Sequence, residues 1–208
     1  MRSPWIVSSD ISIPFSTLCR QGSQEQIKQH ISKLSEAEKL RQSTVGLYEV
    51  LERKDQKQSL PILQALYEAK ANVNYCQKQF TGSFSWRSND TMCCPPLWKA
   101  ISCSHIPAAK AFLNVKADPN FIDYLGRNAL KHAVGQQRGK VEIVKLLLPL
   151  TEQVNLTDKA KNTAFLLSLI HPSHQIAHYL AQSDQVKVDD FTPDTNVRRH
   201  AIECSAEF

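Results

Sequence analysis

The sequence predicts a helical solenoid, a row of like units stacked side by side, and three observations carry the prediction. The block Pro95-Pro96-Leu97-Trp98-Lys99-Ala100, with Ala117-Asp118-Pro119-Asn120 behind it, is answered one step of 33 residues later by Asn128-Ala129-Leu130-Lys131-His132-Ala133. A unit of that size cannot bury its own apolar face and has to stack on neighbours. Leu and Ala return at three- and four-residue intervals, the spacing of one helical face. The chain of 208 residues, 42% hydrophobic and 22% charged, has the make-up of an ordinary soluble domain. A solenoid is a surface for holding partners, so the sequence speaks of binding more clearly than of chemistry.

The middle of the chain resembles ankyrin repeats. That family's unit has a turn with Asp and Gly, then Thr-Pro-Leu-His-x-Ala opening a first helix. A second helix ending Leu-Leu follows, then Gly-Ala-Asp-x-Asn. Here Pro95–Ala100 fills the first slot, Ala109–Leu113 the second helix, and Lys116-Ala117-Asp118-Pro119-Asn120 the close. The next unit opens at Asp123-Tyr124-Leu125-Gly126-Arg127-Asn128-Ala129-Leu130 and runs through Val141–Leu148 to Asn155. Another follows with Asp158–Leu166 and Gln175–Leu180. Each piece has a physical reason. Thr or Asn ahead of the first helix caps free N–H groups, and Pro fits the first turn, which needs no N–H bond. Gly126 supplies the positive φ of the turn, and Lys161 stands in its place one unit later at some conformational cost.

Taken in chain order, the resemblance implies an all-α ankyrin-repeat solenoid of stacked helix-turn-helix units with hairpin fingers, about five repeats in one domain over 1–208. Repeats are expected near 12–42, 43–74, 91–120, 121–155 and 156–183. In the first, Ile13–Gly22 fits the leading helix and its turn, and Gln26–Ile31 the second. In the next, Val45–Val50 and Leu63–Asn74 take those roles. The interval after it is the longest, with extra residues at Lys54–Leu60 and, chiefly, in a finger insertion at 75–90. Val186–Phe208, with Thr192-Pro193 starting a short helix, reads as part of a C-terminal partial cap over 184–208. Terminal repeats are atypical in solenoids because one side faces water.

What the resemblance implies about function is protein recognition through hairpin fingers and inner helices. The insertion carries Phe80, Phe84, Trp86 and Arg87 among Ser, Thr, Gln, Asn and Gly, and such anchors dominate interface energetics. Folding back onto the first helices to fill the gap is the alternative role for those rings. Tyr124 and Leu125 fall near the next finger's tip, while Asp123 is placed to bond turn N–H groups. Lys99 and His132, with Ser102, Gln136 and Leu167, are the expected polar lining of the inner helices. Trp98 takes the slot of the family's His and is expected between units. Lys131 in the same slot, and Leu166 after it, depart from the family's hydrogen-bonded His.

Enzyme chemistry finds little purchase. Cys93-Cys94 with Cys103-x-His105 lacks the spaced pairs of a zinc site, and His174 and His178, one helical turn apart, lack the Glu of HExxH. There is no phosphate-binding, dinucleotide-binding or nucleophile-elbow motif, so no cofactor and no catalytic residue are expected. A small Cys-dependent enzyme on the same scaffold is the rival function. No apolar run approaches the roughly 18 residues needed to span a membrane, and Met1–Asp10 lacks the apolar core of a signal peptide. Cysteines 19, 76, 93, 94, 103 and 204 show no disulfide-framework spacing, which points to reduced thiols and a cytoplasmic setting. The net charge of +5 is scattered rather than striped, so nucleic acid is not an expected partner. Small, divergent ankyrin proteins with few Gly are also similar to effectors that intracellular bacteria deliver into host cytoplasm, and Ser205-Ala206-Glu207-Phe208 is compatible with a polar export signal.

Overall fold

The computed structural model describes residues 14–53, 55–79, 92–136, 141–170 and 174–187. Pro14 stands ahead of α1 (Phe15–Gln21), and Ser23 forms a capping box with Gln26 at α2 (Gln24–Ser32). Helices α3 (Glu36–Val50) and α4 (Ser59–Glu68) make the second pair. A short antiparallel ribbon of β1 (Gln77–Gln79) and β2 (Met92–Cys94) comes next, in the register Gln77↔Cys94, Lys78↔Cys93, Gln79↔Met92. Then follow α5 (Pro96–Ser102) with α6 (Ile106–Asn114), α7 (Ala129–Val134) with α8 (Val141–Leu147), and α9 (Ala164–Ile170) with α10 (His174–Ala181). A 3-10 turn at Leu148–Leu150 extends α8.

Two layers result. Helices α1, α3, α5, α7 and α9 touch in succession and form the inner row, and α2, α4, α6, α8 and α10 form the outer row, each inner helix packing on the outer helix that follows it. The described chain is thus a two-layered helical solenoid, its pairs bridged by one continuous apolar core from Cys19 to Val186. The seam between α5 and α7 shows how the units lock. Trp98 is fully buried, stacks on His132 at 4.6 Å between centroids and meets Phe121 edge-on at 5.9 Å. Trp98 thus lies between units, as its slot suggested.

A second lock repeats at the exit turns. Asn74 Oδ1 accepts from the Asp118 amide at 2.8 Å, Asn120 Oδ1 from Glu152 at 2.9 Å, and Asn155 Oδ1 from Lys187 at 2.8 Å. The Asn120 and Asn155 amides also donate to the carbonyls of Leu150 and Gln185. Each closing Asn therefore clamps the exit of the next unit, and exit-to-exit register passes along the stack by charge-free hydrogen bonds worth about 1 kcal/mol apiece.

Two local features differ from the sequence expectation. Helix α3 starts at Glu36, well before the apolar Val45–Val50 stretch. Ser35 accepts from the Glu38 amide, and the pairs Glu36–Lys39 and Glu38–Arg41 support the first turns, so polar residues carry a helix with no apolar face to announce it. Near its end the helix presses on its neighbours at Gly46, where a Cβ would come within 3.0 Å of Phe15 and 3.1 Å of the Cys19 sulfur. The second difference is chemical. Cys19, Cys94 and Cys103 are free thiols, but Cys76 is disulfide-bonded, which corrects the expectation of reduced thiols throughout. No helix among the described residues is long and apolar enough to cross a membrane.

Candidate interaction surface

The finger turns are built by aspartates. Asp123 Oδ1 accepts from the amides of Leu125 at 3.0 Å and Arg127 at 2.8 Å, and its Oδ2 takes a two-pronged bond from the Arg127 guanidinium at 2.8 and 2.7 Å. Asp158 repeats the turn, accepting from Asn162 at 2.9 Å. Gly126 sits at φ +79°, and Lys161 takes the matching conformation at φ 65°. Consecutive turns are tied together. The Lys159 amide donates to the Leu125 carbonyl at 2.9 Å, and the Lys159 ammonium lies 5.2 Å above the Tyr124 ring.

Between these turns and the inner helices opens a cavity of about 320 Å³. Leu125, Arg127, Asp158, Lys159 and Ala160 wall it from the fingers. Lys131, His132, Gly135 and Gln136 close it from α7 and the turn after it, and Leu167 from α9. Its floor is polar. His132 Nε2 is 2.8 Å from Ser102 Oγ and 3.3 Å from the Gln136 amide nitrogen. Burial, reinforced by the nearby Arg127 charge, brings the His132 pKa down to about 4, so the ring is neutral in ordinary conditions. Lys131 is 1% exposed, and burial lowers its amine to about 8 despite Asp158 and Asp123 nearby. Its Nζ donates to the Gly126 carbonyl at 3.4 Å.

The predicted contact residues divide accordingly. Phe80, Phe84, Trp86 and Arg87 lie outside the described residues. Leu125 and His132 meet in the cavity, with Tyr124 exposed on the turn beside them. Lys99 is elsewhere, joined at 3.4 Å to Glu52, which also holds Arg20. His132 is largely covered. At 7% exposure, stacked on Trp98, it is part of the seam between units and only an edge of it reaches the cavity. Arg127, Lys131, Asp158 and Lys159 were missed as wall residues. The available signal was Lys131 itself, a charge in a slot that packing makes interior.

The base of the long finger is also fixed. The Tyr48 hydroxyl stands 2.7 Å from the Tyr75 carbonyl and 2.8 Å from that of Cys94, gripping both arms of the β1–β2 ribbon at its base. The three described free thiols are poor nucleophiles. Burial raises Cys19 to about 12 and Cys94 to about 11, and raises Cys103 as well, the reverse of an activated cysteine. Among the described residues, no three His, Cys, Asp or Glu gather to hold a metal ion.

No curated protein matches the chain. The family model for ankyrin repeats, in three copies, matches residues 55–158, half of the sequence and the part that holds the finger turns, the Trp98 seam and the cavity. With that match laid over a two-layered stack of helix pairs, the chain belongs to the ankyrin-repeat family.

Proposed function

We propose that the chain is a protein-interaction module whose binding face is the groove between its finger turns and inner helices. Ankyrin repeats are protein–protein interaction modules and bind protein partners. One observation carries the placement. Tyr124 and Ile122 are exposed, at 37% and 43%, on the turn that borders the cavity, so apolar anchors lie beside a mostly apolar socket with a few converging polar groups. The Phe80–Arg87 segment joins this face on its composition, and Tyr48 supports that reading by fixing the base of the ribbon from which the segment springs. Lys99, its charge met by Glu52, joins this reading as a lesser polar contact away from the cavity.

The finer reading is that the module acts on a host protein in host cytoplasm after delivery from a bacterium. Its support is the divergence of the repeats, with Lys replacing Gly at Lys70, Lys116 and Lys161. A translocation reporter fused to the chain tests it, and no signal in host cells from a secretion-competent bacterium would remove that part alone.

Affinity capture from host-type cytosol, read by mass spectrometry, tests the binding face. Wild type is compared with Tyr124→Ala/Leu125→Ala and with Phe84→Ala/Trp86→Ala, with thermal unfolding of all three. A protein captured by wild type and lost by equally stable variants supports the face. Capture that survives both double variants places binding elsewhere.

A further inference from the structure

We propose that the cavity between the Asp123–Arg127 and Asp158–Lys161 turns takes a carboxylate side chain of the bound protein, with Lys131 as its counter-ion. The proposal rests on the reading of the groove as the binding face, and it names the chemistry that face selects.

Lys131 carries the argument. An ammonium has three N–H groups to satisfy, and burying one without partners is costly. This one is 1% exposed and has a single long bond, 3.4 Å to the Gly126 carbonyl. Among the described residues, no carboxylate is within ion-pairing distance of it. Asp123 and Asp158 act on Lys131 only from beyond ion-pair distance. Asp123 is saturated by Arg127 and by two turn amides, and Asp158 Oδ1 holds its own turn through the Asn162 amide. Arg127, Lys131 and Lys159 set against Asp123 and Asp158 leave the cavity wall short of one negative charge. An anion entering from the groove would complete Lys131 with charge-assisted hydrogen bonds, and the Gln136 amide stands beside the same floor as a further donor.

The deficit also sets the kind of anion. Arg127 is neutralised by Asp123, Lys159 lies over the Tyr124 ring, and His132 is neutral. One uncommitted cation at the floor matches a monoanion, whereas the Asp158 carboxylate on the wall disfavours a phosphate dianion. A volume of about 320 Å³ is at the small end for ligand pockets, which suits a Glu or Asp side chain reaching in from a polypeptide laid along the groove.

The test uses the full chain and three blocked pentapeptides, Ala-Ala-X-Ala-Ala, with Glu, Gln or phosphoserine at X. Acylation of individual lysines by an N-hydroxysuccinimide ester is followed by mass spectrometry, with Lys110 on the outer row as internal reference. The Glu peptide is expected to slow acylation of Lys131 at least five-fold and to leave Lys110 unchanged, while the Gln peptide protects neither. Lys131→Met keeps the packed stem and removes the charge. It is expected to weaken binding of a fluorescein-tagged Glu peptide at least ten-fold, with Lys110→Gln binding as wild type. Equal protection by Glu and Gln peptides overturns the counter-ion role while leaving the groove as a binding face. Protection by phosphoserine at much lower concentration overturns the monoanion assignment. No protection by any peptide overturns the site, and the capture experiment still decides the groove independently. Unchanged binding by Lys131→Met overturns the proposal outright. Should that variant not fold, the wild-type footprint decides alone.

Discussion

Replacing His132 by Gln should flatten the acid side of the stability curve. The ring is 7% exposed, stacked on Trp98, with Nε2 held by Ser102. Its pKa falls from 6.5 to about 4, with burial the main cause and the Arg127 charge the next. The sign follows from proton counting. Below pH 6.5 the unfolded chain binds a proton that the folded chain refuses, so stability is complete above 6.5 and drains away as pH falls toward 4. A shift of that size corresponds to about 3 kcal/mol in all, of which about 2 kcal/mol is gone by pH 5. That is a large share of the roughly 5–15 kcal/mol that a domain has. The assay is urea unfolding of wild type and His132→Gln at half-unit steps from pH 7.5 to 4. The variant starts less stable, because a ring is lost from the seam, but the gap should close by about 3 kcal/mol across the range. His105, also buried with a lowered pKa, titrates in both proteins and cancels in the difference. Two parallel curves would show that the ring gains a proton without cost, and the argument from burial would be refuted.

Three further outcomes are expected. Lys131→Met should raise stability by about 1–2 kcal/mol at pH 7, because it removes a charge that burial disfavours and that one long hydrogen bond offsets only in part. The folded amine titrates near 8, below its ordinary 10.5, so wild type recovers stability as pH climbs between those values and the Met advantage should shrink there, as guanidinium melts at pH 7 and 10 would show. Lys116→Gly and Lys161→Gly should each add about 0.5–1 kcal/mol, since both lysines sit at φ 62–65° where glycine has no Cβ penalty, and additive rises in melting temperature would check it. Tyr48→Phe should cost about 1–2 kcal/mol and speed hydrogen exchange at the Met92–Cys94 amides, because the two carbonyls at the ribbon's base lose their shared donor.

What could be read from the sequence was whatever repeats. Trp98 and Leu130 announce themselves by helical spacing, Asn74, Asn120 and Asn155 by recurrence at the unit's close, and Asp123 by its place in the turn. Those features act within one unit or between equivalent positions of adjacent units, so period alone exposes them. The features that escaped depend on partners at irregular distance. Tyr48 meets carbonyls 27 and 46 residues away, and Cys76 is bonded where no regular cysteine spacing exists. The first turns of α3 escaped for another reason, since a solvated stretch held by a Ser cap and i,i+3 ion pairs has no apolar period.

Lys131 falls between these cases, and it links fold to function. Its position in the repeat fixes it as interior, because the equivalent Trp98 one unit earlier is fully buried. Its identity makes that position unfavourable, since burial lowers its pKa and only one long hydrogen bond offsets the cost. A solenoid can tolerate a destabilised unit when its neighbours hold it from both sides, and here the Asn120 and Asn155 clamps, the Trp98 stack and the Leu125–Lys159 link do so. Charge retained against such a local cost marks the place in the stack where a partner's opposite charge would recover the most free energy. The same reasoning gives Lys99 a lesser part, because its charge is already met by Glu52. Specificity in this groove then depends less on how many side chains a partner touches than on whether it brings one carboxylate to one unpaired amine.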